Sequence, residues 1–549
     1  PGEHGVSTNL NYRVNDINWF MNAGFEYEKD PGQGNRFLRY NSPDTAYMYR
    51  QTEDSDRSQY DGDFRVGADI FLPGNQTLTA SASISLEYSE NTTNITYRDM
   101  ELNGDVFRRV NRNDFEKEDE QNYEIEIDYE NKLPGHEDHK LTFVAQFDDE
   151  SEYERSDIRE AIQAGTEDPL QQESDNRQRV GDMLFQADYV YPYNDNLRFE
   201  TGAKSTVRWL TNNYTVTELQ DGKWVTLPAY DENFDYDENI NALYGIVAYK
   251  TGPWSAQFGV RAEQTNLDTK LKVSGQTSDQ SYIDLFPSAN LTYKFNDQQS
   301  VQASYNRRLS RPRHWYLLPF FNFSDSRNRF TGNPDLNPEY SNSYEGTFIQ
   351  YWESGSLLSS LYYRYREGVI ERIQIAEEGV TRTLPINLAT EKNWGVEVTA
   401  SQNFNDALSI NGNATYFQAN TEGSYQGDDL SRSSTLLFGR LGAQWKFLEH
   451  WQTETSIRYR GPYETTQGRR KAMTTVDFGL ARSFFDDQAT LSFNVRDLFN
   501  SRSRETIVDQ QYLYSRNEFQ WRTRTMELSF TYNFNKKDRG NNRRGGRDW

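Results

Sequence analysis

Apolar and polar side chains alternate along this chain with a period of two. The run 526–534 carries its apolar side chains at every even position: Met526, Leu528, Phe530, Tyr532 and Phe534. The same pattern recurs at 78–86, 254–262 and 491–495. Successive side chains of a strand point to opposite faces, and a tilted strand crosses a bilayer in ~9–11 residues. The pattern therefore predicts membrane-spanning strands with one apolar and one polar face.

Alternation and turn residues together predict about 21 strands, whose connections are alternately short and long. The short turns include 14–16, 73–76, 193–195, 353–355, 405–407 and 486–488. The long, polar connections include 30–57, 90–117, 150–174, 213–233, 306–339 and 501–518. Outer-membrane barrels have this layout, with the short turns in the periplasm and the long loops outside.

This layout gives the first strand, near 6–13, and the last, near 519–534, the same inward direction. An antiparallel barrel closes only with an even number of strands, so we expect one outward strand before Pro1 and about 22 in total. The predicted fold of residues 1–534 is thus an all-β transmembrane antiparallel barrel. A lumen of that width is not filled by its own side chains, and barrels of about 22 strands are plugged transporters.

Two further segments carry local predictions. Residues 156–162 have a capping Ser156 before a short amphipathic stretch and fit a helical turn within a loop. Residues 535–549 contain six basic side chains and three glycines, which predict a flexible basic tail on the periplasmic side.

Composition agrees with a membrane barrel. Only 35% of the residues are hydrophobic and the mean hydropathy is −0.94, yet 14% are aromatic. A wet lumen, an apolar outer band and aromatic girdles produce this combination. The sequence contains no cysteine, which excludes disulfides and thiolate metal sites, and no apolar stretch approaches the ~18 residues of a membrane helix.

The net charge of −24 disfavours nucleic acid as a partner. Acidic residues collect at 114–120, 148–154 and 231–238. We interpret them as a solvated loop surface; the alternative is a divalent cation bound between loop carboxylates. No other cofactor is indicated.

A second line of inference comes from a motif. Residues 332–340 read Gly-Asn-Pro-Asp-Leu-Asn-Pro-Glu-Tyr, and a Tyr-Glu-Gly follows at 344–346. This stretch resembles the barrel of TonB-dependent receptors, and more narrowly the outer-membrane barrel family common in Bacteroidota. The residues that carry the resemblance are Gly332, Asn333, Pro334, Leu336, Pro338, Glu339 and Glu345. Their predicted role is structural, because prolines stiffen a loop and Glu339 can accept hydrogen bonds where a strand begins.

The resemblance implies a receptor in the bacterial outer membrane that imports a scarce nutrient. In that family the TonB energy-coupling complex pulls on an N-terminal plug, so the implied partners are membrane lipid, the plug and that complex. This chain contains neither the plug nor an energy-coupling box, and we expect the plug upstream of residue 1. The final strand, with Phe530, Tyr532 and Phe534, is similar to a barrel-assembly signal.

Candidate binding chemistry lies at 307–315. Arg307, Arg311, Arg313 and Trp315 could hold an anionic ligand or a plug carboxylate, or could balance the acidic loops. The cluster around His136 and His139 has metal-like composition, but it falls at a short turn with no metal-ligand spacing. No catalytic set is present, so we do not expect an enzyme.

Three functions fit the sequence. The first is a TonB-dependent importer whose aromatic, acidic loops suit sugars, peptides or metal chelates equally. The second is a barrel that no longer transports and serves as a scaffold or accessory subunit of an envelope complex, with a surface lipoprotein as one candidate partner. The third is a secreted adhesin, which would be soluble without detergent.

Overall fold

The computed structural model describes residues 2–42, 45–136, 138–163, 169–318, 327–377, 379–388, 390–485, 487–520 and 522–532. In chain order, the strands are β1 (Gly2–Val14), β2 (Ile17–Ser42), β3 (Thr45–Leu72), β4 (Gln76–Met100), β5 (Val106–Lys132), β6 (Lys140–Ile162), β7 (Leu170–Pro192), β8 (Leu197–Gln220), β9 (Lys223–Thr226), β10 (Glu232–Thr251), β11 (Trp254–Leu271), β12 (Thr277–Asn296), β13 (Gln299–Ser310), β14 (Asn328–Phe330), β15 (Glu339–Trp352), β16 (Gly355–Glu367), β17 (Ile370–Glu377), β18 (Val380–Asn387), β19 (Thr390–Asn403), β20 (Leu408–Glu422), β21 (Ser424–Tyr425), β22 (Asp428–Asp429), β23 (Arg432–Phe447), β24 (Trp451–Arg460), β25 (Tyr463–Thr465), β26 (Gly468–Arg470), β27 (Met473–Phe484), β28 (Ala489–Arg496), β29 (Arg504–Asp509), β30 (Leu513–Gln520) and β31 (Thr525–Tyr532). The helical elements are a 3-10 turn (Pro228–Tyr230) and α1 (His314–Leu317).

The wall of the molecule is an antiparallel barrel sheet. Among the described residues this sheet has 26 strands, of which 21 form the wall and five short ones extend it in the outer connections, namely β9, β25, β26, β29 and β30. Five further strands form two small separate sheets, namely β14, β17 and β18, and β21 with β22. Each wall strand pairs with the next one along the chain, from β1 with β2 through to β28 with β31. The predicted all-β antiparallel barrel is confirmed. No helix in the described ranges is both long enough and apolar enough to span a bilayer.

Tight turns join the strands on one side of the barrel. Val14 pairs directly with Ile17, so β1 and β2 are joined by only Asn15 and Asp16. Asn15 adopts a left-handed φ of 51°, which asparagine tolerates better than most residues. In outer-membrane barrels, the side with short turns faces the periplasm.

Aromatic rings on the outer surface mark the borders of the lipid band. On the side of the long connections, Tyr27 and Tyr60 have ring centroids 4.9 Å apart, and Tyr88 continues the row 6.3 Å from Tyr60. On the short-turn side, Trp254 and Tyr293 lie 4.6 Å apart. Aromatic girdles of this kind sit at the two membrane interfaces of a barrel.

Apolar side chains fill the surface between the girdles. On β31, Leu528 is 69% exposed and Phe530 is 65% exposed. They pair in register with Phe493 and Leu491 of β28, so one continuous apolar face points outward. The polar residues between them, such as Ser529, face the lumen, as the alternation predicts.

The predicted long loops are largely strands. β2 and β3 continue to Ser42 and from Thr45, so the connection predicted at 30–57 is a paired hairpin. The helical turn predicted at 156–162 is wrong, because these residues form the end of β6 and pair with β5 and β7. Above the membrane both faces of a strand contact polar groups, and the alternation that reveals a strand is lost.

The two terminal wall strands do not close the barrel on each other. β1 and β31 both run toward the short-turn side, and within the described residues no pairing joins them. A slot lined by residues of β1, β2, β28 and β31 separates them. Arg522 lies at this slot and forms ion pairs with Glu28 (2.9 Å) and Asp30 (2.6 Å).

Candidate functional site

A small sheet covers part of the outer mouth of the barrel. It consists of β14, β18 and β17, in that order, and together with residues 331–338 we call it the cap. Three tyrosines of the inner wall hold it: Tyr40 bonds to Thr381 (2.9 Å), Tyr47 donates to the Gly379 carbonyl (3.0 Å), and Tyr49 donates to Asn328 (3.1 Å).

One ion pair fixes the edge of the cap to the wall. The guanidinium of Arg327, directly before β14, makes a two-pronged contact with the carboxylate of Asp99 on β4, with 3.2 Å between Nη2 and Oδ2. The same guanidinium lies 4.2 Å from the ring centre of Tyr97 and 5.4 Å from that of Tyr49. A cation between a carboxylate and two aromatic faces is strongly held when it is shielded from water.

Apolar packing holds the other side of the cap. Leu317, Leu318 and Leu336 are buried in one cluster with wall residues of β8, β10 and β11, namely Leu210, Phe234, Tyr236, Leu267 and Leu271. A second cluster inside the cap joins Ile373, Leu384, Ile386 and Leu388 to Leu430. The cap is therefore a packed element rather than a loose loop.

The motif at 332–339 builds this packing. A side chain at Gly332 would place its Cβ 2.0 Å from the Leu318 carbonyl oxygen, so only glycine fits. Asn333 donates from its backbone to Tyr316 (2.6 Å) and from its side chain to the Pro385 carbonyl (3.2 Å). Each of these contacts joins the motif to a different part of the mouth.

The rest of the motif is also in contact with its surroundings. Pro334 follows in the turn, while Leu336 and Pro338 are buried. The carboxylate of Glu339 accepts a hydrogen bond from the backbone of Ile370 (2.5 Å) and one from Arg366 (2.6 Å). Glu345 is exposed and accepts from Thr347 (2.9 Å).

The candidate ligand residues lie in separate surroundings. The guanidinium of Arg307 lies 5.3 Å from the ring centre of Tyr340. Arg311 turns to the inner wall and binds Glu263 (2.9 Å) and Thr265 (2.7 Å). Arg313 is exposed. These contacts fit a role in holding the mouth together, and ligand binding by these residues stays a prediction.

Trp315 packs against Tyr316, with ring centroids 4.0 Å apart and ring planes tilted by 57°, within the segment that precedes the cap. Of the assembly strand, Phe530 and Tyr532 face outward, whereas Phe534 and the tail 535–549 lie outside the described residues. In the histidine cluster, His139 bonds to Tyr189 (3.0 Å), and Glu137 falls outside the described ranges.

Carboxylates line the inner wall below the cap. We call six of them the acidic ladder: Glu116, Glu118 and Glu120 of β5 with Glu150, Glu152 and Glu154 of β6. The two strands pair so that Glu118 faces Glu154 and Glu120 faces Glu152. Residues at a spacing of two share one face of a strand, and this face is the lumenal one.

The ladder lies above the membrane. On β5, Tyr123 faces away from the lumen at the outer end of the apolar band. The ladder residues 116–120 lie beyond Tyr123, on the side of the long connections. On β6 the outward Asp149 forms an ion pair with Arg179 (3.0 Å), a contact that belongs in water. The ladder therefore faces the outer vestibule of the barrel.

Crowding changes the acidity of the ladder. Burial, together with the charges of Glu118, Glu120, Glu150 and Glu116, raises the pKa of Glu152 to about 7. Burial and the neighbouring Glu116 also raise the pKa of Glu154. Arg57 supplies positive charge here and bonds to both Glu87 and Glu118 at 3.0 Å.

Sequence reasoning placed these acids in solvated loops. The period-two spacing of glutamates at 116–120 and 150–154 was the available signal for a lumenal strand face. In the part of the chain that the structure describes, no group of three or more His, Cys, Asp or Glu side chains is arranged to hold a metal ion.

A family model described as the outer membrane protein beta-barrel family matches residues 134–532. The chain belongs to this family. Its place is the bacterial outer membrane, as its sequence predicts. No curated protein matches the sequence.

Solved structures share the fold of this barrel. The FrpB iron transporter from Neisseria meningitidis (F3-3 variant) is 10% identical with a TM-score of 0.51, and the match covers 89% of this chain and 81% of that one. The copper transporter OprC is 10% identical with a TM-score of 0.54, and the match covers 91% of this chain and 81% of that one. The ferripyoverdine receptor of the outer membrane of Pseudomonas aeruginosa, solved bound to ferripyoverdine, is 11% identical with a TM-score of 0.54. That match covers 94% of this chain and 71% of the receptor.

Proposed function

We propose that this family member imports a nutrient across the outer membrane as the barrel of a TonB-dependent receptor. The vestibule receives the substrate, the cap controls its entry, and a plug in the lumen is moved by the TonB energy-coupling complex. The transported substrate is a small or medium-sized solute. The protein is not an open channel for ions, because packed structure partly closes the mouth of the barrel.

One observation carries the proposal: the cap is docked onto the inner wall across the mouth. Its contacts with Tyr40, Tyr47 and Asp99 are specific hydrogen bonds and an ion pair rather than loose contacts. A pure scaffold has no need of an ordered cover over its lumen. The similar structures include two transporters and a receptor by name, which supports a shared use of this fold.

We also propose that one outward-running strand fills the slot between β1 and β31. Both strands run inward, so a single antiparallel strand can pair with each and bring the wall to about 22 strands. This strand would complete the hydrogen bonds of two edges that lipid cannot satisfy.

The cap can be tested by reversible locking. The chain contains no cysteine, so Tyr40→Cys and Thr381→Cys introduce the only two thiols. A short bis-methanethiosulfonate reagent would bridge them, and a reducing agent would release them. Uptake of labelled oligosaccharides, peptides and metal chelates is then measured in cells, with and without a protonophore.

We expect energy-dependent uptake of one solute class, its loss on bridging, and its recovery on reduction. The single variants treated with the same reagent are the controls. Uptake that continues through the bridged protein would contradict the cap's role. If no class is taken up and the protein co-purifies with an envelope machine, the scaffold function replaces the importer.

A further inference from the structure

Three arginines form a row on the outer surface of the wall beyond the membrane. Arg50 of β3 pairs in register with Arg98 of β4, and Arg98 pairs in register with Arg109 of β5. Residues that are directly opposite share one face of a sheet, and their Cβ atoms are ~4.5–5.5 Å apart. We call these three residues the arginine row. It places three like charges side by side over roughly 10 Å, the width of two strand spacings.

The arginine row points away from the lumen. Each of its members has a neighbour in the sequence, Tyr49, Tyr97 or Val110, that is buried in one cluster on the inner side of the wall. The rings of Tyr49 and Tyr97 contact Arg327 there. Successive side chains of a strand point to opposite faces, so the arginines lie on the outer face. The first and last members of the row are exposed, and the middle one is half-buried.

The arginine row has no counter-charge of its own. In the part of the chain that the structure describes, none of its three guanidinium groups forms a hydrogen bond or an ion pair. Other basic side chains of the same outer face do pair with carboxylates, as Lys117 does with Glu90 (3.4 Å) and Arg179 with Asp149 (3.0 Å). Like charges that face each other across strands destabilise a sheet. An anion from outside the chain would relieve this repulsion.

Uncharged residues flank the arginine row on both sides. Thr52, Thr96 and Asn111 form the next row of the same face toward the membrane. Met48 and Met100 pair on the other side of the row, on β3 and β4. No carboxylate of these neighbouring positions competes with an anion for the guanidinium groups.

The spacing of the row suits linked phosphate groups. A guanidinium matches two oxygens of a phosphate with parallel N–H groups, and two guanidiniums ~5 Å apart can bind one tetrahedral phosphate between them. One carboxylate is too small to contact all members of a row that is roughly 10 Å long, whereas two or three linked phosphates span it. The net charge of −24 repels long polyanions, which favours a short ligand.

The height of the row distinguishes a lipid phosphate from a soluble one. On β4, Arg98 lies ten positions beyond Tyr88, which belongs to the outer aromatic girdle. At ~3.3 Å per residue and a tilt of ~40°, the row is roughly 25 Å above that girdle. The headgroup layer of a bilayer is only ~5–8 Å thick. A lipid headgroup therefore does not reach the row, whereas a solute in the surrounding water does.

We propose that the arginine row is a binding site for a short, soluble ligand that carries linked phosphate groups, such as a diphosphate or triphosphate. Each pair of neighbouring guanidiniums binds one phosphate, and Arg98 contributes to both pairs. The site lies on the outside of the wall and not in the vestibule, so it goes beyond the proposed import function.

Binding is tested by calorimetry on the purified full chain in nanodiscs of neutral phosphatidylcholine, at about 0.15 M salt. Tripolyphosphate is the probe, and citrate is the carboxylate used for comparison. The test variant is Arg50→Gln/Arg98→Gln/Arg109→Gln. Heat-modifiable electrophoretic mobility checks that each variant is folded.

The matched control is Arg155→Gln/Arg177→Gln/Arg179→Gln. It removes the same charge from the outer face of β6 and β7, where each arginine has a carboxylate partner. We expect tripolyphosphate to bind the native protein and to bind the test variant at least about tenfold more weakly, with the control unchanged. No binding of tripolyphosphate to the native protein, an equal loss in the control, or equally tight binding of citrate would each overturn the proposal.

A second series replaces the neutral lipid by phosphatidylglycerol and tests the source of the phosphate. The Debye length at this salt concentration is about 8 Å, so headgroups roughly 25 Å away should leave the affinity for tripolyphosphate unchanged. A loss of about tenfold in these discs would mean that lipid headgroups occupy the row, and would overturn the assignment to a soluble ligand. The locking experiment above does not depend on these results, so the two proposals can fail separately.

Discussion

Arg327 and Asp99 are 228 positions apart in the sequence and form a buried ion pair across the outer mouth of the barrel. Asp99 belongs to the wall, and Arg327 directly precedes β14 of the cap. The side chains are only 5% and 12% exposed, so water screens the pair weakly. This contact adds to the tyrosine hydrogen bonds and the apolar packing that hold the cap on the wall.

The first prediction concerns this pair. Arg327→Met removes the nearer cation from the buried Asp99 carboxylate and leaves Arg108 at 4.0 Å. Breaking a buried ion pair typically costs roughly 3–5 kcal/mol. We expect the cap to detach from the wall more often. A thiol at Ala376→Cys, which packs against the wall cluster, reports this by its labelling rate. The rate should rise at least about tenfold, since 1.4 kcal/mol already gives that factor.

Arg313→Met, at an exposed arginine, is the control, and equal rates in both variants would refute the role of the ion pair.

The second prediction concerns Gly332. Alanine there would place its Cβ against the backbone of Leu318 and Tyr316, and overpacking of this kind costs about 1–3 kcal/mol. Gly346→Ala is the matched control, because a Cβ at that position meets nothing within 4 Å. We expect faster labelling at Ala376→Cys in the Gly332 variant only. Similar behaviour of the two variants would mean that the motif does not position the cap.

The third prediction concerns pH. The pKa of Glu152 is raised from 4.5 to about 7 in the folded protein. Between pH 4.5 and about pH 7, Glu152 therefore keeps its proton in the folded state and has lost it in the unfolded state. The stability linked to that proton is full below pH 4.5 and disappears as the pH rises through about 7.

Glu152→Gln removes this pH dependence. We expect its melting temperature, followed by circular dichroism in detergent, to equal that of the native protein near pH 4 and to exceed it at about pH 9. Glu345→Gln, at an exposed carboxylate, should show no such crossover. A constant difference at all pH values would contradict the raised pKa.

The sequence predicted the wall well because the membrane imposes a simple rule on it. In the membrane-spanning part of each strand, successive side chains face lipid and the aqueous lumen in turn, as Leu528 and Ser529 do. This alternation makes the strands and turns recognisable in the sequence. The tight turn at Asn15 and the contacts of Glu339 also follow from local chemistry.

The mouth could not be predicted in the same way. Contacts such as Tyr40 with Thr381 join residues 341 positions apart, and no local pattern encodes them. The acidic ladder was hidden for a different reason. Above the membrane both faces are polar, so Glu118 and Glu154 looked like loop residues although they face each other across paired strands.

The fourth prediction tests which face of the wall meets lipid. Arginine at Phe258, Phe493 or Phe530 should impair insertion by about 2–4 kcal/mol each, as charges do on the lipid face near mid-bilayer. Arginine at the neighbouring lumenal residues Gln257, Asn494 and Ser529 should have mild effects. The measurement is the folded fraction in lipid vesicles over a urea series. Equal effects on both faces would contradict the face assignment.

The central claim is that the cap lies docked across the mouth and opens for a substrate. Spin labels at Asp335→Cys on the cap and Leu102→Cys on the exposed tip between β4 and β5 measure it directly by pulsed electron resonance. The account predicts one narrow distance in the native protein and an added, longer population with Arg327→Met. A broad distribution in the native protein, or an identical one in the variant, would contradict a docked cap.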